Sequence, residues 1–271
     1  MTSGGSAWLT RPVWRFAAID AGHGRSANPT TSIPVLTVCH FHWTLADMPE
    51  VQVSKRERTR SSLLVAVQSV LLTSPPGTLS VPRITAAAGV SQGTFYNYFD
   101  SLDAALDGVG ALLLTEHSRL VDQVVSGVED PAVVFSHSTR LTLSLAASAK
   151  DYSRLLFDSG LPVDRLLGGL RARMAIDAAR GQHSGRFRIE NPEVVLSMAS
   201  GSILGVGLDL YRGQLPPSAI DTTAEHLLRH LGLAARPAAR ISHLPLDVPA
   251  PRPLPIAAVA PELSDQVEVT S

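Results

Sequence analysis

"GVSQGTFYNYFDSL", Gly89 to Leu102, crowds Phe95, Tyr96, Tyr98 and Phe99 into five positions, although the whole chain holds only three Trp, four Tyr and seven Phe. Upstream, Ser80 is a good N-cap for a helix over Val81–Ala88, with Pro82 tolerated in its first turn. Gly89 can take the left-handed conformation that ends a helix sharply, and Ser91 can cap the next helix at once. The pattern therefore predicts a helix, a tight glycine turn and a second helix. On that second helix Phe95 and Phe99 are four residues apart and share a face. They can pack against Ile84 and a preceding helix as a small core.

That geometry is a helix-turn-helix, whose second helix fits the major groove of duplex DNA. Gln92, Thr94, Tyr96 and Asn97 fall on the remaining surface, where amide and hydroxyl groups suit base edges and phosphates. The chain as a whole carries a formal charge of −1 and a pI near 6.8, so attraction to DNA has to come from a local patch. Residues 51–103 supply one: Lys55, Arg56, Arg58, Arg60 and Arg83 stand against Glu57, Asp100 and Asp103. Leu63, Val67, Val70 and Leu71 follow helical spacing after the basic run, and "TSPPG" stops that helix.

"TAAAGVSQGTFYNYFDSLDAAL", Thr85 to Leu106, resembles the tetracycline-repressor family of one-component transcriptional regulators. The shared signature is an alanine-rich helix, Ala-Gly-Val-Ser, a Gly-Thr-aromatic-Tyr recognition helix and a following Phe. The resemblance runs from Arg58 to Leu106. It implies that Ser80, Tyr96 and Tyr98 meet phosphates and that Gln92, Thr94 and Asn97 approach bases, with Arg83, Ser91 and Gly93 among the DNA-facing positions. The sequence departs from the family at three places: Leu102 stands where a phosphate-binding lysine is usual, Tyr98 replaces a more frequent histidine, and Pro82 takes a position that some members use to reach a base.

Residues 103–234 read as helices throughout, giving an all-α chain with a helical regulatory and dimerisation domain behind the reading head at 51–102. The segment from Ser101 to Val125 is a fourth helix, Asp130-Pro131 and Asn191-Pro192 open two more, and Ser218 to Leu233 is a ninth. In the eighth helix Ser197, Gly201 and Gly205 recur every four residues and leave one face nearly bare. In the ninth, Ile220, Leu227, Leu228 and Leu231 form an apolar stripe. The resemblance implies that these last two helices pair with those of a second subunit, making a homodimer with two recognition helices one DNA turn apart.

It implies also a small-molecule effector among the middle helices. Candidate lining residues are Phe135, His137, Leu141, Tyr152, Leu156, Phe157, Met174 and Met198, and the excess of apolar residues suggests a largely hydrophobic ligand. A second function class stays open: a helical dimeric small-molecule or partner-binding module with weakened DNA contacts, motivated by Leu102 and the small basic excess.

The flanks read differently. Residues 1–50 mix Gly, Pro, Ser and Thr without a period, as expected of a disordered leader. Residues 235–271 are rich in proline, as expected of a loose tail. The single cysteine, Cys39, excludes an intramolecular disulfide and suits the cytoplasm. "CHFH", Cys39 to His42, lacks the second ligand pair that a closed zinc site needs, so no metal and no cofactor are expected. No nucleophile elbow or phosphate loop points to an enzyme. The longest apolar run, Val194 to Leu208, is shorter than the roughly 20 residues that span a bilayer, and no membrane partner is expected.

Overall fold

A computed structural model describes residues 54–161 and 163–257, with the backbone alone over 163–167. The expected leader, the Cys39–His42 cluster and residues 258–271 lie outside the described residues. Ten helices follow in order, and no strand occurs among the described residues: α1 (Lys55–Thr73), α2 (Val81–Ala88), α3 (Gln92–Tyr96), α4 (Leu102–Val125), α5 (Pro131–Ser148), α6 (Lys150–Phe157), α7 (Val163–His183), α8 (Pro192–Tyr211), α9 (Ala219–His230) and α10 (Ala235–Ser242).

Local chemistry sets the helix ends. Ser54 and Glu57 close a capping box, so α1 begins at Lys55 and the basic run forms its first turns. Asp130 caps α5 and Asn191 caps α8, each followed by proline where a missing N–H costs nothing. α4 is one uninterrupted helix from the reading head into the body. It starts on Ser101, whose hydroxyl accepts from the Ala104 N–H.

Three apolar clusters hold the elements together. The first joins α1, α2, α3 and α4 through Leu63, Leu64, Val67, Ile84, Phe95 and Phe99, and it also takes in Leu155 and Leu161 beyond the head. The expected boundary at residues 102 and 103 is therefore no break in packing, because the head shares its core with α6. The second cluster centres on α5, α8, α9 and α10, and the third lines α4 and α5.

Two expectations are corrected here. Residues 235–257 are not a loose tail: α10 buries Ala238 and Ile241, and an extended segment continues over the body to Ile256, which is itself buried. Pro237 sits in the first turn of α10, where proline is accommodated. Most of the α9 stripe is likewise used within the subunit: Leu227, Leu228 and Leu231 lie in the second cluster, and Ile220 is half buried outside it. What stays open is the α8 face. Val194 and Met198 are half exposed, and a Cβ built on Gly201 or Gly205 would meet nothing within 4 Å. α8 runs to 20 residues, and by length and composition alone it could cross a membrane.

Candidate nucleic-acid interface and ligand cavity

The turn between α2 and α3 forms as its residues dictate. Gly89 has φ 67°, and the Val90 N–H returns to the Thr85 carbonyl at 3.0 Å. Ser91 Oγ accepts from the Thr94 N–H at 3.1 Å and lies 2.9 Å from Thr94 Oγ1. Thr94 is half buried, and its exposed hydroxyl shares the cap with Ser91. α3 proper is only five residues, but the Phe99 N–H still reaches the Phe95 carbonyl at 3.0 Å and carries the helical path to the second ring.

Phe95 and Phe99 point inward with ring centroids 5.6 Å apart, and both are buried. Tyr96 turns outward, edge-on to Phe95 and 54% exposed. Gln92, Gly93 and Asn97 are exposed beside it, and Arg83 is exposed on α2 with its guanidinium on the Thr78 carbonyl. Ser80 is half buried and its side chain caps nothing. Two arginines of the basic run are tied to the same aromatic group: Arg56 stacks over Tyr98 at 5.9 Å and Arg60 over Phe99 at 5.2 Å. Leu102, standing where the resembled family usually has a lysine, is half buried against the first core cluster.

The body holds two adjoining cavities between α4, α5, α7 and α8, with α6 closing one of them. The larger, 110 Å³, is apolar and lined by Leu113, Leu120, Leu145, Tyr152, Leu156 and Phe157. The smaller, 40 Å³, has Ser138, Thr139, Arg173 and Asp177 in its lining beside Phe135 and Met174. His117, Thr142, Leu170 and Ile203 line both.

The polar groups are held in defined states. His117 Nε2 lies 2.9 Å from Thr142 Oγ1, and that hydroxyl spends its one proton on the Ser138 carbonyl at 2.7 Å. Nε2 must then carry the hydrogen, and Nδ1 keeps a lone pair. Burial, with Arg173 adding repulsion, pushes the His117 pKa down to about 4, so the ring is neutral near pH 7. Burial raises the Asp177 carboxyl, while Arg173 and Arg180 partly oppose the shift. Arg173 reaches Asp122 through one terminal nitrogen at 2.5 Å, whereas its Nε is buried without a partner, as is Ser138 Oγ.

Of the expected lining residues, Phe135, Tyr152, Leu156, Phe157 and Met174 do line the cavities. Three do not. Leu141 is fully buried in the third core cluster, and Met198 is on the open face of α8. His137 is buried apart from both cavities; the Val124 carbonyl faces it too loosely to close a hydrogen bond, and burial lowers its pKa. His117, Ser138, Thr142, Arg173 and Asp177 were missed from the sequence. The four-residue spacing of Arg173 and Asp177 on one turn of α7 was the available signal.

Residues 73–106 match the family described as bacterial regulatory proteins, tetR family, and residues 130–244 match the tetracyclin repressor-like C-terminal domain. The chain belongs to the TetR family of transcriptional regulators. In TetR-family proteins a helix-turn-helix head binds DNA and a helical C-terminal domain binds ligand, and the proteins act as dimers. Among solved structures, RolR in complex with resorcinol superimposes with TM-score 0.60 at 26% identity, covering 72% of this chain and 98% of RolR. RolR without ligand gives 0.57 at 24% identity, covering 69% and 98%. A TetR-family regulator from Shewanella sp. PV-4 gives 0.53 at 15% identity, covering 65% and 99%, a likeness of fold alone. No curated protein matches the chain by sequence.

Proposed function

We propose that this TetR-family protein is a cytoplasmic, homodimeric repressor released from its operator by a small hydroxylated aromatic compound. The observation that carries the ligand class is the buried, unpartnered Arg173 Nε, one helical turn from Asp177, in the lining of an otherwise apolar cavity. A hydroxyl group both accepts and donates. It can take the Arg173 Nε–H and return its own proton to Asp177 or to the His117 lone pair. A carboxylate fits less well, because Asp122 already pairs with Arg173 and Asp177 lines the same cavity, so a second anion would meet acidic neighbours. Size agrees: the two cavities together approach the roughly 150 Å³ that accepts a benzene ring in an engineered apolar cavity. Resorcinol, the ligand of the RolR complex, has this chemistry.

On the reading head, Gln92 and Asn97 read base edges, Thr94 lends its methyl and cap, and Tyr96, Tyr98, Ser80 and Arg83 meet phosphates. The test begins with operator selection from a random DNA pool, followed by titration with resorcinol, benzene and benzoate. Release by resorcinol and not by benzoate is expected, together with loss of that response in Arg173→Met. Resorcinol binding no tighter than benzoate would overturn the ligand class. DNA affinity that does not fall with rising salt would favour the ligand-binding module without an operator instead.

A further inference from the structure

The segment after α10 does more than cover apolar surface. It leaves Ser242, meets Arg140, which donates to the Leu244 carbonyl at 2.6 Å, and runs in extended form toward the head. The Arg252 N–H donates to Glu116 of α4 at 2.8 Å, and the Tyr152 hydroxyl of α6 donates to the Arg252 carbonyl at 2.9 Å. At its far end Ile256 is gripped twice by Gln68 of α1, whose amide donates to the Ile256 carbonyl at 2.9 Å and accepts the Ile256 N–H at 2.8 Å. Gln68 is fully buried, so neither bond is exchanged with water. Leu254 packs against the apolar cluster of the head. The four anchors stand on four elements: α5 at the near end, then α4 that joins head to body, α6 that walls the larger cavity, and α1 of the reading head.

We infer that residues 244–257 form a strap that fixes the angle of the reading head on the ligand-binding body and gives the cavity a second route to the head, parallel to α4. The route is short, because Tyr152 lines the larger cavity with its ring and holds the strap with its hydroxyl. A ring entering that cavity displaces Tyr152, frees the Arg252 carbonyl, and leaves the strap held by Glu116, Arg140 and Gln68 but no longer tied to the cavity wall. The cavity's role rests on the function proposed above; the fixing of the head does not.

The experiment uses the full-length dimer, Gln68→Leu, and a chain ended after Leu244, with operator affinity measured with and without resorcinol. Gln68→Leu keeps the apolar volume under the strap and removes both bonds to Ile256. The effect of resorcinol on operator affinity is expected to fall about threefold or more in either variant, the size that loss of a hydrogen bond produces. A folded dimer with an unchanged resorcinol effect would overturn the second route. Should resorcinol not act on the unaltered protein, the ligand assignment fails, and the strap is then judged by ligand-free operator affinity. A loss of about threefold or more in Gln68→Leu supports it; a lower melting temperature with unchanged affinity refutes it. If the shortened chain does not fold, Gln68→Leu alone decides.

Discussion

Gln92 illustrates how much one exposed side chain can decide. It stands at the first position of α3 with no partner inside the protein among the hydrogen bonds described, and an amide in a major groove discriminates by about 1–3 kcal/mol per base. Gln92→Ala is expected to change which base is preferred at one position while leaving binding to random DNA nearly intact, as read by repeating the operator selection. An unchanged selected site would remove Gln92 from base reading. His117 carries a different prediction. Its folded pKa, about 4, is below the ordinary 6.5, so as pH falls the unfolded chain takes up the proton first. Stability attributable to this residue is intact above pH 6.5 and is lost on acidification toward pH 4 at up to about 1.4 kcal/mol per unit. Urea midpoints at pH 7.5 and pH 5 are expected to differ more in the unaltered protein than in His117→Gln. The helix-turn-helix itself was legible because the Gly89 turn, the Ser91 cap and the Phe95 and Phe99 pair are local chemistry. His117 and Arg173 were not, since a lone polar group on an apolar helix face does not announce which cavity it meets.

Helices with a strong start signal were readable from a few residues. Asp130-Pro131 and Asn191-Pro192 mark the starts of α5 and α8 as found. The capping box of Ser54 and Glu57 was equally readable in principle, and it turns the basic run into the first turns of α1. α10 was hidden because Pro237 reads as a breaker, although a first-turn proline gives up an N–H that has no partner anyway. The strap was hidden for a related reason: its carbonyls and amides are satisfied by Arg140, Glu116, Tyr152 and Gln68, all distant in sequence. α7 offers a direct contrast between two glycines. A Cβ on Gly181 would lie 1.9 Å from the ring of Phe187, which is buried edge-on against Phe135, whereas a Cβ on Gly168 meets nothing within 4 Å. Gly181→Ala is expected to cost about 1–3 kcal/mol through overpacking. Gly168→Ala should be neutral or stabilising by up to about 1 kcal/mol through helix propensity. Thermal unfolding of the two variants side by side checks both, and equal stabilities would contradict the packing of Phe187.

For the whole molecule, the all-α class followed from unbroken helical spacing, but the division of labour between the last helices did not. Apolar stripes look alike in sequence whether they meet their own subunit or another. Leu227, Leu228 and Leu231 of the α9 stripe are buried internally, whereas Val194, Met198, Gly201 and Gly205 of α8 stay open, and that face is the one we propose for a second copy. Met198→Glu is expected to yield a folded monomer with much weaker operator binding, as read by sedimentation and by DNA titration, since the side chain is 49% exposed and not needed within the subunit. A stable dimer in that variant would place the interface elsewhere. A reader of a two-fold site that assembles through the open α8 face is a product of mass action. Where monomer predominates, halving the protein leaves about a quarter of the dimer, so operator occupancy answers to copy number more steeply than one chain binding alone would allow.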